Sequence, residues 1–497
     1  MLALVRARKM LLVGLVAVTA AGCAVGDAGV TATESNSAGG GLFTNDPAPD
    51  PGPERTYEII PGVVDFGSSK TPRDYDGFLT AVFGDIEAFW TQAYPEAYGD
   101  AWVPLEGEVY AAYPSREEPI PGCNMEGVPA TYENVLNSGA YYCILGDYMA
   151  YDDDFLLPSL VADLGKEAVG VVLAHEFGHA VQARAGNFDE PTILMEQQAD
   201  CFAGAWTAHV ASGASDLVTF DDADVRSGLI AMLNVRDPID AGGLDNPDAH
   251  GTGFDRVGAF QDGFVGGVTR CVPFFEENRL DNLIDIPFDP SDPNAGNLPL
   301  VDPDPDPTNG ASDIVTLIPA AIEAFWVDLT TANGVAFTPP TFSPFAAAGP
   351  LPTCASVDPA AFAGNAVYCP DDNVVYWDQD TMAQLAADPL TGDMSVGYLF
   401  SNAYGEAVQR AIGSQRTGEQ RELTDDCLTG AWVATIVPPT PEDSIIYLSA
   451  GDLDEAIVTA IARSDATEDT NVHGSAFQKV DAFRDGVLGG LTVCQQG

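Results

Sequence analysis

An α+β fold, mainly helical with a small sheet and laid out as two tandem domains, follows from three observations. Apolar residues recur at helical spacing in several long stretches. A short aromatic run with a β-rich look interrupts them at residues 141–152. Residues 312–497 repeat residues 74–275 block by block, which is the mark of two copies of one domain.

The first 23 residues read as an export signal. Arg6, Arg8 and Lys9 form a positive start, and residues 10–21 form an apolar run too short to span a bilayer. Ala20-Ala21-Gly22-Cys23 resembles a lipobox, with alanine where leucine is usual, so the expected mature chain begins at a lipid-modified Cys23. Ordinary signal cleavage nearby is the other reading. Either route places the folded part outside the cytoplasm: a membrane-anchored lipoprotein, or otherwise a secreted one. Residues 24–72 are rich in Gly, Ser, Pro, Asp and Thr and read as a disordered tether.

The first domain is expected over 73–275. Phe78, Leu79, Val82, Phe83, Ile86, Phe89 and Trp90 give an amphipathic helix with an aromatic face, best explained as core. Residues 148–151 are a candidate strand for pairing with an extended substrate. Residues 171–186, VVLAHEFGHAVQARAG, have helical apolar spacing and a glycine stop at Gly186. They contain His175-Glu176-Phe177-Gly178-His179. Positions i and i+4 share a helix face, so both imidazoles can reach one metal ion. Glu176 stands beside the first ligand, where its carboxylate can serve as base toward a water activated by the metal. Catalytic zinc wants a third protein ligand. Glu196 lies 17 residues past His179, and Asp200 one helical turn further. Glu196 is taken as ligand and Asp200 as the group that orients a histidine from behind; the reverse assignment stays open.

HEFGHAVQARAG followed by EQQADCFAGAW resembles the neutral zinc metallopeptidase family, within the wider gluzincin group of HExxH-plus-Glu peptidases. Tyr141-Tyr142-Cys143 and His250-Gly251-Thr252 agree with it. The resemblance covers about residues 74–275 and implies a zincin-like peptidase fold.

The second domain is expected over 312–497, after an acidic, proline-rich linker at 276–311 that reads as an extended spacer. Its blocks match, but the chemistry does not. His175 becomes Asn402, Glu176 becomes Ala403 and His179 becomes Glu406, while Glu196 and Asp200 persist as Glu422 and Asp426. An amide, a methyl and a carboxylate do not replace two imidazoles and a base, so this copy is expected to be a pseudo-peptidase. His250 has two readings, a donor to a developing oxyanion or a histidine tying a loop, because His473 matches it in the copy without chemistry. His209, which becomes Thr435, reads as a surface or core histidine.

Nine cysteines sort into Cys23 and four per copy. Cys123–Cys143 with Cys201–Cys271, and Cys354–Cys369 with Cys427–Cys494, are the favoured disulfides, because the spacings of 20 and 70 then recur as 15 and 67. Twenty Lys and Arg against 74 Asp and Glu leave a net charge of −54. Nucleic acid is excluded as a partner, since phosphate binding needs a basic face, and charge-driven docking to anionic lipid is disfavoured. Asp152–Asp154 and residues 302–306 are candidate Ca²⁺ spots, with solvated acidic loops the commoner reading.

The expected activity is hydrolysis of peptide bonds in a peptide or protein substrate, by one Zn²⁺ on His175, His179 and Glu196 with Glu176 as general base. The alternatives are a non-catalytic envelope protein that uses both copies to bind other molecules, and a zinc hydrolase acting on non-peptide substrates. Oligomeric state is not legible.

Overall fold

A computed structural model describes residues 56–495 except 189, 240–242, 244, 245, 247, 248, 277, 278, 281, 282, 289–295, 303–311, 442, 443 and 466–472. Cys23, the signal and most of the tether lie outside the described residues, as do Asp304 and Asp306.

The first half runs β1 (Val64–Asp65), α1 (Asp76–Tyr98), β2 (Val109–Ala112), α2 (Tyr132–Ser138), β3 (Ala140–Cys143), β4 (Tyr148–Asp152), α3 (Leu156–Leu164), α4 (Lys166–Ala185), α5 (Thr192–Ala211), α6 (Asp222–Asn234), α7 (Gly253–Gly266) and α8 (Val268–Cys271). The second half runs α9 (Ile314–Ala332), β5 (Thr341–Phe345), β6 (Ala366–Cys369), β7 (Val374–Asp378), α10 (Gln379–Ala387), α11 (Gly392–Ala411), α12 (Glu419–Val433), α13 (Asp452–Ala462), α14 (Ala476–Gly489) and α15 (Leu491–Cys494). Helices dominate, with one small sheet in each half.

The sheets order β1-β2-β4-β3 and β5-β7-β6. In each, the last two strands in sequence form an antiparallel hairpin and a third strand joins it in parallel. β4 is hydrogen-bonded on both sides, to β2 and β3. The expectation that residues 148–151 pair with a substrate is therefore corrected: β4 has no free edge, and the outer position belongs to β3.

α1 buries Phe78, Leu79, Val82, Phe83, Ile86 and Trp90, and Trp90 meets Phe202 of α5 edge-on at 5.0 Å. α9 buries Ile314, Ile318, Ile322, Trp326 and Thr330, a face repeating every four residues. That helix is long and apolar enough to cross a membrane by composition, but this face packs against α11. α4 stops at Gly186, whose φ of 78° lets its N–H bond to the Gln182 carbonyl.

Two helix pairs set the architecture: α5 with α7, and α12 with α14. They cross backbone to backbone. A Cβ on Gly204 would stand 1.9 Å from the Phe260 carbonyl oxygen, and one on Gly263 would stand 1.8 Å from that of Cys201. Gly430 and Gly486 meet the other pair in the same way. Four disulfides join Cys123 to Cys143, Cys201 to Cys271, Cys354 to Cys369 and Cys427 to Cys494, the pairing that the matched spacings favour.

Two expected boundaries move. The tether ends earlier than residue 72. β1 joins the sheet, the Ile60 N–H bonds to Thr80 Oγ1, and buried Lys70 pairs with Asp76 and Asp153 at 2.9 and 2.5 Å. The linker is no free spacer: Ile284, Ile286, Leu298 and Leu300 pack on the main core. That core is continuous and takes residues from both halves. Of the candidate Ca²⁺ spots, Asp152 instead caps α3 by accepting the N–H groups of Asp154, Phe155 and Leu156, and Asp153 is held by Lys70 and Arg73.

Several acids are buried more deeply than nearby cations offset. Burial pushes the carboxyl of Asp255 up to about 6. Asp393 is pushed up to about 6 the same way, beside Asp452 and Glu455, whose carboxyls burial and the neighbouring acids also raise well above their ordinary values. The folded chain therefore binds protons between about pH 4 and 6 that an unfolded chain gives up. Stability is expected to rise as pH falls from 7 to 5, by about 1 kcal/mol per such group, and Asp255→Asn should flatten part of that rise. Urea midpoints at the two pH values check it; a midpoint that is lower at pH 5 would contradict it.

Candidate metal centre

The site is built by α4 and α5, with α7 behind them. Successive turns of α4 carry His175 and His179, whose ring centroids lie 5.0 Å apart at 88°. The close packing of Gly178 against Ala199, where an added Cβ would stand 3.0 Å from the Ala199 Cα, brings α5 alongside. His175, Glu176, His179, Glu196 and Asp200 are all at most 1% exposed.

Both imidazoles are fixed from behind. His175 Nδ1 lies 2.7 Å from Asp200 Oδ1, and His179 Nδ1 lies 2.9 Å from Gln182 Oε1. Gln182 is itself oriented, because its Nε2 donates to the Met195 carbonyl at 2.6 Å. With each Nδ1 occupied, each ring turns Nε2 toward Glu196, at 3.1 Å for His175 and 3.4 Å for His179. Glu196 thus faces both Nε2 atoms, while Asp200 stands behind one ring.

Charge follows geometry. Burial works against the Glu196 carboxylate, but His179 and His175 hold it well below the usual range. Burial also works against Asp200, which the Arg256 guanidinium and His175 keep low. Arg256, on α7 and fully buried, grips Asp200 with two bonds of 2.9 and 2.8 Å and donates a third to the Val235 carbonyl.

A metal fits this donor set. Ligand atoms of His175, His179 and Glu196 all lie within 4.8 Å of one another. A tetrahedral zinc with bonds of about 2.0–2.1 Å has ligand–ligand edges of about 3.3 Å. His175 Nε2 lies 3.1 Å from Glu196 Oε2 and His179 Nε2 3.4 Å from Glu196 Oε1, so each imidazole already stands at such a distance from one carboxylate oxygen. Two imidazoles and one carboxylate are also a known catalytic zinc set.

His250 lies on the loop before α7. Its Nδ1 is 3.1 Å from Asp237 Oδ1, and its N–H and that of Gly251 both donate to Asp237 Oδ2. Burial lowers its pKa, but Asp237 and the Glu196 charge raise it to a net increase. His209 is half-buried against Phe89 at 5.2 Å.

The matching region of the second half is filled differently. Asp426 accepts from Asn402 at 2.7 Å, from Lys479 at 2.7 Å and from the Tyr398 hydroxyl. Glu406 pairs with Arg410 at 2.8 Å and Arg421 at 3.6 Å, and Glu422 faces Arg421 and His473. An amide and a carboxylate stand where the first half has imidazoles, and Arg421 faces both Glu406 and Glu422.

The sequence reading missed Arg256, Asp237 and Gln182. A signal existed in the repeat: Lys479, Asp465 and Gln409 occupy the matching places. Lys479 grips Asp426, Asp465 accepts the N–H groups of His473 and Gly474, and Gln409 bonds to the Arg421 carbonyl.

Residues 133–274 match the family described as "Putative neutral zinc metallopeptidase". The chain is 32% identical over 151 residues to "Uncharacterized protein YpfJ" of Escherichia coli strain K12, covering 26% of this chain and 51% of that protein. It is 28% identical over 153 residues to "Uncharacterized protein Mb2605" of Mycobacterium bovis and to "Uncharacterized protein Rv2575" of Mycobacterium tuberculosis H37Rv, covering 26% of this chain and 52% of each. The chain spans about half the length of these curated relatives. No solved structure matches it.

The Arg256–Asp200 pair is testable by itself. Arg256→Met leaves a buried carboxylate without its cation and is expected to cost about 3–5 kcal/mol. Arg256→Lys should cost less, since a lysine does this in the second half. Chemical denaturation measures both; a loss under about 1 kcal/mol for the methionine variant would show that Asp200 does not depend on Arg256.

Proposed function

We propose that this chain is an exported, lipid-anchored zinc metallopeptidase with its metal site in the first half and none in the second. The observation that carries the reading is the convergence of two Nε2 atoms, each with its Nδ1 tied down, on the Glu196 carboxylate. Side chains arranged to hydrogen-bond only one another have no need of that orientation; a metal does.

His175, His179 and Glu196 are the ligands in this reading. Zinc, when bound there, polarises the scissile carbonyl and lowers the pKa of the attacking water. Asp200 and Gln182 hold the imidazole rings in one tautomer and one orientation. Glu176, next to His175 and fully buried, takes a proton from the water and hands it to the leaving amine. His250, whose charge is felt by Glu196 and whose Nδ1 is held by Asp237, is the candidate donor to the oxyanion. β3, outermost in its sheet and packed next to α4, is the candidate strand for aligning an extended substrate. The second half keeps the helical frame and sets Arg421 against Glu406 and Glu422, the residues that match His179 and Glu196.

The deciding measurement is zinc per chain by elemental analysis. One zinc is expected in the wild type and none in His179→Ala. Glu176→Gln should keep its zinc and lose at least about 100-fold in peptide hydrolysis. A wild type without zinc, after growth with metal supplied, would favour the envelope binding protein; zinc with turnover of non-peptide substrates alone would favour another hydrolase. For the anchor, Cys23→Ser is expected to move the protein from the membrane fraction to the soluble one, and an unchanged distribution would refute lipidation there.

A further inference from the structure

The second half meets α7 through ring and polar contacts of α14 and, at the start of the helix, through one buried carboxylate. Asp454 of α13 is 6% exposed. Its oxygens accept the first two N–H groups of α7, from Gly253 at 3.1 Å and Phe254 at 2.8 Å, and pair with Arg236 Nε at 3.0 Å. A carboxylate at a helix N-terminus meets unsatisfied donors and the positive end of the helix dipole.

What these contacts hold is specific. Phe254 is two residues before Arg256, which grips Asp200, which holds His175 Nδ1. Arg236 is the neighbour of Asp237, which fixes the His250 loop. One side chain of the second half therefore touches both Arg236, beside Asp237, and the start of α7, two residues before Arg256.

The arrangement is one-sided. α6 and α13 align with Asp237 on Asp465, and this puts Arg226 at the place of Asp454. Arg226 lines a cavity with Ser475, Ala476 and Phe477 at the start of α14, so the two halves approach each other in a roughly reciprocal way. A cation there cannot cap a helix N-terminus. The carboxylate brace points only toward the half with two histidines. Fold symmetry alone would have given both halves the same device.

We infer that Asp454 is a positioning residue for the metal centre, acting through α7, Arg256 and Asp200, and that the degenerate second half is a working part of that centre. The inference rests on the zinc reading above. Its test is zinc affinity of the full chain, by competition with a chromogenic chelator, for wild type, Asp454→Asn and Phe477→Ala. Phe477 packs on Phe264 across the same interface at 4.7 Å, near the far end of α7 and eight residues past Arg256, so it controls for loosening of the interface. Asp454→Asn should weaken zinc binding about tenfold, the low end of what outer partners of a metal ligand contribute. Phe477→Ala should lower thermal stability and leave zinc affinity within about twofold. In the metal-free chain, Asp454→Asn should also speed amide hydrogen exchange at 250–256 selectively. Unchanged zinc affinity in Asp454→Asn, or an equal loss in both variants, overturns the inference while the zinc reading stands. A wild type that binds no zinc overturns the zinc reading itself, and this inference with it.

Discussion

The buried Asp200 carboxylate is the constraint to which the rest of the structure answers. A charge with no exposed surface must be met by partners, and Asp200 meets Arg256 on one side and His175 on the other. For Arg256 to arrive, α7 must lie almost against α5, and no side chain fits at the crossing, hence Gly204 and Gly263. Cys201, on the same stretch of α5, is bridged to Cys271 just past α7 and keeps that crossing closed. The second half repeats the solution with Asp426, Lys479, Gly430, Gly486 and Cys427–Cys494. The buried acid and its cation thus belong to the frame, and the histidines are what the first half adds to it.

Much of this was legible because it is local. Periodic apolar residues gave the long helices, and H-E-x-x-H and E-x-x-x-D each fall on one helix face. The spacing alone left Glu196 and Asp200 exchangeable; only the packing of α5 on α4 shows which of them faces the two Nε2 atoms. Arg256 is 56 residues from Asp200, so no window along the chain joins them, and only the Arg/Lys match between halves hinted at a shared duty.

The misreadings have the same cause. Residues 56–72 follow a long Gly-, Ser- and Pro-rich stretch and read as part of it, yet they carry Tyr57, Ile59, Ile60, Val63, Val64 and Phe66, and Lys70 is buried by two aspartates that lie elsewhere in the chain. An aromatic run predicts strands, but not which strand ends up outermost, and β3 takes that place over β4. The linker's prolines and aspartates suggest a spacer, while four scattered aliphatic residues are enough to lay its described parts on the core. Tertiary partners decide these cases, and composition does not carry them.

The four disulfides all close within a half, so among the described residues no covalent bond other than the chain itself joins the two. The shared apolar core and a few ion pairs do that work. A protease that cut once between residues 303 and 311 would therefore leave a particle of unchanged size under native conditions. The same sample would fall into two fragments in detergent, with or without reductant.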